Sequence, residues 1–152
     1  MARKEKQEKK KSQKEINKEN LESGIALINA HPLFGECRRL IRPATKNDLG
    51  NKTMCVVSSD GIIRVNVDYF LSPKQWAHAL AHNFLHLAFG HFDADKMPGY
   101  FITHDNGKKE RKVECDIYIW NMACDIYITK FLADIKFGQS VTNDPMDILS
   151  KI

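Results

Sequence analysis

The stretch that decides the fold of this chain is SPKQWAHALAHNFLHLAFGH, residues 72–91. Ser72 is a favourable N-cap, Pro73 suits the first helical turn, and Gln75 completes a capping-box pattern. Gly90 is well placed to end the helix, so the sequence predicts a helix over residues 74–89. Its apolar residues form one broad stripe that should bury against a sheet and a neighbouring helix: Trp76, Leu80, Phe84 and Leu87.

Three histidines follow one another on this predicted helix at intervals of four residues, namely His78, His82 and His86. Side chains four residues apart project from the same helical face. Two imidazoles placed in this way can bind one Zn²⁺, each at about 2.0–2.1 Å. The pattern therefore predicts His82 and His86 as metal ligands, whereas His78 lies a full turn too early.

A third ligand must come from outside the helix, and the sequence leaves two candidates open. His91 lies just past Gly90, where a turn can bring its imidazole back. Asp125 lies in a second apolar helix, where a carboxylate is unfavourable without a partner. Asp125 would bind the metal or orient a ligand histidine through a hydrogen bond. An isolated pair of histidines is common by chance, so the metal prediction depends on all these features together.

The rest of the chain predicts an α+β fold. A helix is expected over residues 15–30, followed by an irregular segment over residues 32–51. Two β-prone runs, residues 53–57 and 62–66, flank Asp60-Gly61 and predict an antiparallel hairpin. By analogy with zinc peptidases, the second strand should lie at or near a sheet edge beside the metal helix.

Two further segments complete this picture of a small antiparallel sheet packed on the metal helix. Residues 97–112 are polar, with two Gly-containing turns, and predict a surface loop. Residues 112–132 predict a long helix that is apolar almost all round. A helix of that kind is expected in the middle of a domain.

Composition limits the classes of protein to consider. The chain has 152 residues, of which 43% are hydrophobic, and this predicts one globular domain. We find no run of about 18 apolar residues, as a membrane span needs, and no apolar stretch behind the charged N-terminus that would form a secretory signal. The four cysteines form no Cys-x-x-Cys pair. We therefore expect reduced thiols and a cytoplasmic protein without membrane contact.

The positive charge is concentrated at the N-terminus. Residues 1–20 hold eight Lys or Arg and four Glu, a balance equal to the net charge of +4 for the whole chain. This composition predicts a basic, disordered tail over residues 1–20, ahead of a domain over residues 21–138 and an extension over residues 139–152. The tail is either a solvated, partly helical segment or a contact for nucleic acid or another polyanion.

Four segments occur in a fixed order along the chain: Ser59-Asp60-Gly61, NVDYF at residues 66–70, LAHNFLHLAFGH at 80–91 and WNMACDIYIT at 120–129. Together they resemble a bacterial zinc-metallopeptidase family that is often associated with von Willebrand factor A-like domains. The family helix reads Leu-Ala-His-Glu-x-x-His-x-x-x-x-His. The resemblance spans about residues 21–135 and implies a zincin-like fold, Zn²⁺ as cofactor and a peptide or protein as substrate or partner. It implies His82 and His86 as ligands, with His91 and Asp125 as candidates to complete the set.

The sequence departs from the family pattern at the general-base position. Asn83 stands where the family has Glu, and the von Willebrand factor-like part is not among these residues. In such peptidases Glu takes a proton from the metal-bound water, a role that an amide cannot fill. We therefore expect a zinc-binding, metallopeptidase-like protein, or pseudoenzyme, with impaired or absent peptide hydrolysis.

Two other functions remain open, and so does the question of whether the chain is an enzyme. The chain could be an active zinc peptidase with another base, for which Asp93 and Asp95 are the candidates because they follow His91. It could instead be a structural zinc module whose basic tail binds nucleic acid. A closed set of four protein ligands would favour the structural role, whereas three ligands plus water would favour a peptidase-type site.

Overall fold

The computed structural model describes residues 10–141 and shows an α+β fold, which confirms the predicted class. Two short 3₁₀ turns, Cys37–Leu40 and Ala94–Lys96, join the main elements. The helices are α1 (Gln13–Ala30), α2 (Lys46–Leu49), α3 (Pro73–Ala88) and α4 (Ile117–Asp134). The strands are β1 (Ile41–Ala44), β2 (Cys55–Val57), β3 (Ile63–Asn66), β4 (Gly99–Thr103) and β5 (Lys109–Val113).

The first sheet has the order β1-β3-β2 and contains the predicted hairpin. β2 and β3 pair antiparallel across the turn at Gly61, whose φ of 82° is the left-handed conformation that glycine allows. β1, however, pairs parallel to β3. The sheet is therefore mixed, and the expectation of an antiparallel sheet was wrong. β3 is the central strand of the three and lies next to both edge strands. β1 lies in the segment that was expected to be irregular. It was not predicted as a strand because it contains Pro43, which is tolerated here because β1 is at the edge of the sheet.

The second sheet is the hairpin β4–β5, which occupies the segment that the sequence predicted as a surface loop. That prediction was wrong because both strands are largely exposed and therefore lack the apolar alternation that identifies a half-buried strand. The chain reverses at Gly107, where φ is 80°. The Arg111 guanidinium donates to the backbone carbonyls of Ala94 and Met97 and so fixes the hairpin to the preceding 3₁₀ turn.

Helix α1 begins at Gln13, with the Ser12 hydroxyl accepting a hydrogen bond from the backbone N–H of Glu15. Residues 13–20, part of the predicted tail, are thus helical. The Asn20 amide donates to the Leu71 carbonyl at 3.1 Å, so this part of the helix is bound to the domain. Residues 1–9 and 142–152, with most of the predicted C-terminal extension, lie outside the described residues.

Helix α1 crosses α3 at Gly24, which has no side chain to hold the two helices apart. A Cβ atom at Gly24 would lie only 2.6 Å from Cβ of Trp76, a distance that real Cβ contacts do not allow. Trp76 and Ile28 are both buried beside this crossing. The close approach therefore requires glycine at position 24.

Helix α3 lies at the centre of the described fold, between α1, the first sheet and α4. Both hydrogen bonds of its predicted capping box are present, between Ser72 and Gln75. The helix ends as predicted near Gly90, which has a φ of 69°. Local signals in the sequence were therefore sufficient to place the element that carries the candidate ligands.

Helix α4 was expected in the middle of the domain, but it lies at the surface of the described fold. One side packs on the core through Cys124, Ile128 and Leu132. The opposite side is exposed, and Tyr118 at its outer edge has 80% of its surface accessible. The prediction of a second buried helix was wrong because α3 already fills the central position. Within residues 10–141, none of the helices is both long and apolar enough to span a membrane.

Candidate metal centre

Three side chains from α3 and α4 converge on one point between the helices. Nε2 of His82 and Nε2 of His86 lie 3.3 Å apart, and each lies 2.9 Å from Oδ1 of Asp125. Among the described residues, this is the group of His, Cys, Asp or Glu side chains arranged so that it could hold a metal ion. Sequence reasoning named all three residues but left Asp125 as one of two alternatives.

The spacing of these atoms fits a tetrahedral divalent cation. Ligands at about 2.0–2.1 Å from a tetrahedral Zn²⁺ lie about 3.3–3.4 Å from one another, and the two imidazole nitrogens already have this separation. The carboxylate oxygen would have to move away from each histidine by roughly half an ångström to reach the tetrahedral ligand spacing. Because Asp125 is 40% exposed in its side chain, that movement meets little packing resistance.

The charge of the group also suits a cation. Burial acts to raise the pKa of the Asp125 carboxyl, but hydrogen bonds from His82 and His86 and the charge of those rings outweigh burial. The pKa of Asp125 is consequently held well below its ordinary value, and the carboxylate is ionised at neutral pH. A negative charge at the convergence point of two imidazoles favours a divalent ion.

His91 contacts the opposite nitrogen of one of these histidines. Its Nδ1 lies 3.1 Å from Nδ1 of His86, while the backbone N–H of His91 donates to the His86 carbonyl and the Trp120 indole donates to the His91 carbonyl, both at 2.9 Å. Burial, and then the nearby His86, lower the pKa of His91, so the neutral imidazole is favoured. His91 is therefore placed to orient a ligand, the role that the sequence also considered for Asp125.

Asn83, at the position of the missing base, points its amide toward strand β2. Its Nδ2 donates to the Ala79 carbonyl at 2.8 Å and to the sulfur of Cys55 at 2.9 Å. Burial, and secondarily the nearby Cys37, raise the pKa of the Cys55 thiol to about 12, so this thiol is neutral. Sequence reasoning missed Cys55 because the contact depends on how β2 lies against α3, and no local pattern reports that.

Asp93 and Asp95, the alternative bases considered from the sequence, are both exposed; Asp93 caps the second 3₁₀ turn and Asp95 lies within it. The Asp93 carboxylate accepts a hydrogen bond from the backbone N–H of Asp95 at 3.0 Å. Within the described part of the chain, neither carboxylate forms a hydrogen bond or ion pair with His82, His86 or Asp125. The geometry gives no support for either residue as a base.

The remaining histidines lie outside the convergent group. His78 is buried one turn before His82, with the two ring centroids 6.4 Å apart. His104 pairs with Glu110 at 2.8 Å on the exposed hairpin. The ring of His31 accepts a hydrogen bond from the backbone of Leu33.

Comparisons with known proteins give no further assignment. No protein-family model matches this chain, and no curated protein and no solved structure shows a significant similarity to it.

Proposed function

We propose that this chain is a zinc-binding, zincin-like protein that binds a peptide or protein and hydrolyses peptides poorly or not at all. The observation that supports the proposal most strongly is the convergence of His82, His86 and Asp125 within hydrogen-bond distance of one another. The four cysteines are free thiols, which is consistent with the cytoplasmic location that forms part of the proposal.

Zinc is the metal we propose because the ligand set is rich in imidazole. Two histidines and one carboxylate provide three protein ligands, which leaves a fourth position for water or a substrate carbonyl. Zinc supplies Lewis acidity at that position. A structural zinc module would need a fourth protein ligand, and the described residues offer three in this group.

Asn83 is the reason for proposing weak or absent hydrolysis. Its two amide hydrogens are used by Ala79 and Cys55, and the remaining carbonyl oxygen can accept a hydrogen bond but has no basicity near neutral pH. General-base catalysis contributes typically about 10²–10⁴-fold in rate. A site without that base is therefore better suited to holding a peptide than to cleaving it.

Metal analysis of the purified chain tests the metal centre. We expect about one zinc per chain in the wild type, and little in His82→Ala, His86→Ala and Asp125→Ala. His104→Ala is the matched control, because it removes an exposed histidine that pairs with a carboxylate elsewhere. Equal metal content in all five proteins would contradict the proposed site.

Replacement of Asn83 tests the chemistry. We expect Asn83→Glu to raise cleavage of a casein-type substrate above the wild-type level. Asn83→Gln, which introduces a side chain of the same size as Glu but without a basic group, should not raise it. If the wild type and Asn83→Glu cleave equally well, another group is the base and the chain is an active peptidase.

The basic N-terminus supports a second candidate function, a contact with nucleic acid or another polyanion. The fold indicates how to test it, since deletion of residues 1–11 leaves the Ser12 cap of α1 intact. We expect this deletion to remove any salt-dependent binding to nucleic acid while metal content stays unchanged. Binding that persists after the deletion would exclude the tail as the contact.

A further inference from the structure

A cavity of about 320 Å³ lies between α3 and α4, next to the candidate metal centre. Its walls combine polar and apolar groups from the two helices and from the segment that follows α4. The polar residues are His78, Thr129, Lys136 and Ser140, and the larger apolar ones are Leu132 and Phe137. The proposed function assigns no role to this cavity.

The cavity and the candidate metal centre are neighbours along both helices. His78 precedes His82 by one turn of α3, and their ring centroids are 6.4 Å apart. Thr129 follows Asp125 by one turn of α4, on the same face of that helix. One helical turn advances about 5.4 Å, and one residue of an extended peptide advances about 3.3 Å. A peptide held at the metal would therefore reach the cavity with a group one or two residues away.

The walls of the cavity favour an anion. Lys136 provides a cation, Ser140 and Thr129 provide hydroxyl groups, and among residues 10–141 no carboxylate belongs to the lining. The Thr129 hydroxyl is excluded from solvent and has no hydrogen-bond partner among the described residues. Buried polar atoms are nearly always paired, so this hydroxyl is available to hydrogen-bond an oxygen atom of a ligand.

The segment that closes the cavity has a backbone fitted to this position. Lys136 and Gly138 have φ values of 55° and 67°, both in the left-handed region. A Cβ atom at Gly138 would lie 2.9 Å from both the backbone nitrogen and Cβ of His78, so the chain contacts α3 directly. The backbone N–H of Gln139 then donates to the Lys74 carbonyl at 3.1 Å. These contacts fix Lys136 and Ser140 at the rim.

We propose that this cavity is a subsite for a carboxylate group of the bound peptide, with Lys136 as the charge that selects it. This inference rests on the proposed peptide-binding metal centre and specifies its substrate class. The carboxylate is that of an acidic side chain or of a peptide C-terminus, and the two sources share the same recognition chemistry. The apolar wall formed by Leu132 and Phe137 would pack against the carbon atoms that carry this carboxylate.

Binding of short peptides to the full zinc-loaded chain tests the subsite. N-acetyl-Ala-Ala-Glu-amide is compared with its Gln analogue, and N-acetyl-Ala-Ala-Ala as the free acid is compared with its amide. We expect the carboxylate member of one pair to bind about tenfold more tightly, the size expected for a hydrogen bond to a charged group. The pair that shows the preference identifies the source of the carboxylate.

Substitutions assign the preference to the cavity. Lys136→Met keeps an unbranched side chain but removes the charge, and it should abolish the acid preference; Thr129→Val should reduce the preference a few-fold. Lys130→Met is the matched control on α4, since Lys130 does not line the cavity, and it should leave the preference intact. Zinc content is measured in every preparation.

Two results would overturn the inference while the metal centre stands. These are normal zinc content with equal binding of acid and amide in both pairs, and an acid preference that survives in Lys136→Met. Failure of the proposed function itself would be recognised separately, because the wild-type protein would then contain no zinc. An acid preference in such zinc-free protein would show an isolated anion site and would overturn the assignment as a subsite of the metal centre.

Discussion

Helices α3 and α4 both contribute to the candidate metal centre, yet their environments are opposite to what their compositions suggest. α3 carries three histidines and is enclosed by α1, the first sheet and α4. α4 is the more apolar helix, but it is exposed along the face that contains Tyr118, Met122 and Ile126. Apolar content alone therefore does not place a helix at the centre of the fold. The number of neighbouring elements available to cover its faces decides its position.

The largest expected effect is on the free energy of unfolding, which a substitution in α3 should lower much more than a substitution in α4. Leu80 is fully buried in the centre of α3, and Leu80→Ala should lower the free energy of unfolding by about 2–5 kcal/mol. Met122 lies on the exposed face of α4, and Met122→Ala should change that free energy by less than about 0.5 kcal/mol. Urea denaturation of the metal-free chain measures both, and equal losses would show that the outer face of α4 is covered in solution.

The next effect concerns Asp125, the metal ligand that we propose on α4. Asp125→Asn keeps the size of the side chain but removes the charge that binds the cation, so zinc affinity should fall by more than about 100-fold, beyond the usual effect of an outer-shell change. Competition with a chromophoric chelator measures the affinity. An unchanged affinity would mean that the metal is held by the histidines of α3 together with another group.

A smaller loss of affinity is expected at His91. If this residue orients His86 through the contact between their Nδ1 atoms, His91→Ala should weaken zinc binding by about 10–100-fold. His91→Asn, which can still accept a hydrogen bond, should recover part of that loss. The spectrum of the cobalt-substituted protein should keep its four-coordinate bands in His91→Ala, whereas their loss would identify His91 as a direct ligand.

The smallest effect is the pH dependence that Asp125 gives to the metal-free chain. The pKa of Asp125 is lowered in the folded state, so its stabilising contribution is complete above the ordinary Asp pKa of about 3.9. That contribution is lost as the pH falls from there toward the folded-state pKa. The difference in unfolding free energy between the wild type and Asp125→Asn should thus be at its full value near pH 5 and shrink below about pH 4. A difference that grows on acidification would contradict the direction of this shift.

The sequence predicted the elements whose signals are local. The capping residues at Ser72 and Gln75 placed α3, the turn at Asp60-Gly61 placed the β2–β3 hairpin, and the four-residue spacing brought His82 and His86 together. Strand β1 was missed because it contains Pro43, and its pairing partner β3 is distant in sequence. The β4–β5 hairpin was missed because both of its strands are largely exposed to solvent.

The parts of the site that could not be predicted all depend on packing between elements. The contact of Asp125 with His82 and His86 required the position of α4 against α3. The contact between Asn83 and Cys55 required the position of β2 against α3. The position of Lys136 at the cavity depends on two left-handed backbone conformations, and Lys at such a position gives no signal in the sequence.

The crossing of α1 and α3 at Gly24 has a consequence for how the molecule opens. Because the backbones meet without an intervening side chain, no rotamer change can loosen the contact, and α1 can separate from α3 only as a unit. Such an opening would expose Ile28 and Trp76 in one step. Amide hydrogen exchange in α1 and in the first turns of α3 should accordingly follow a single cooperative event.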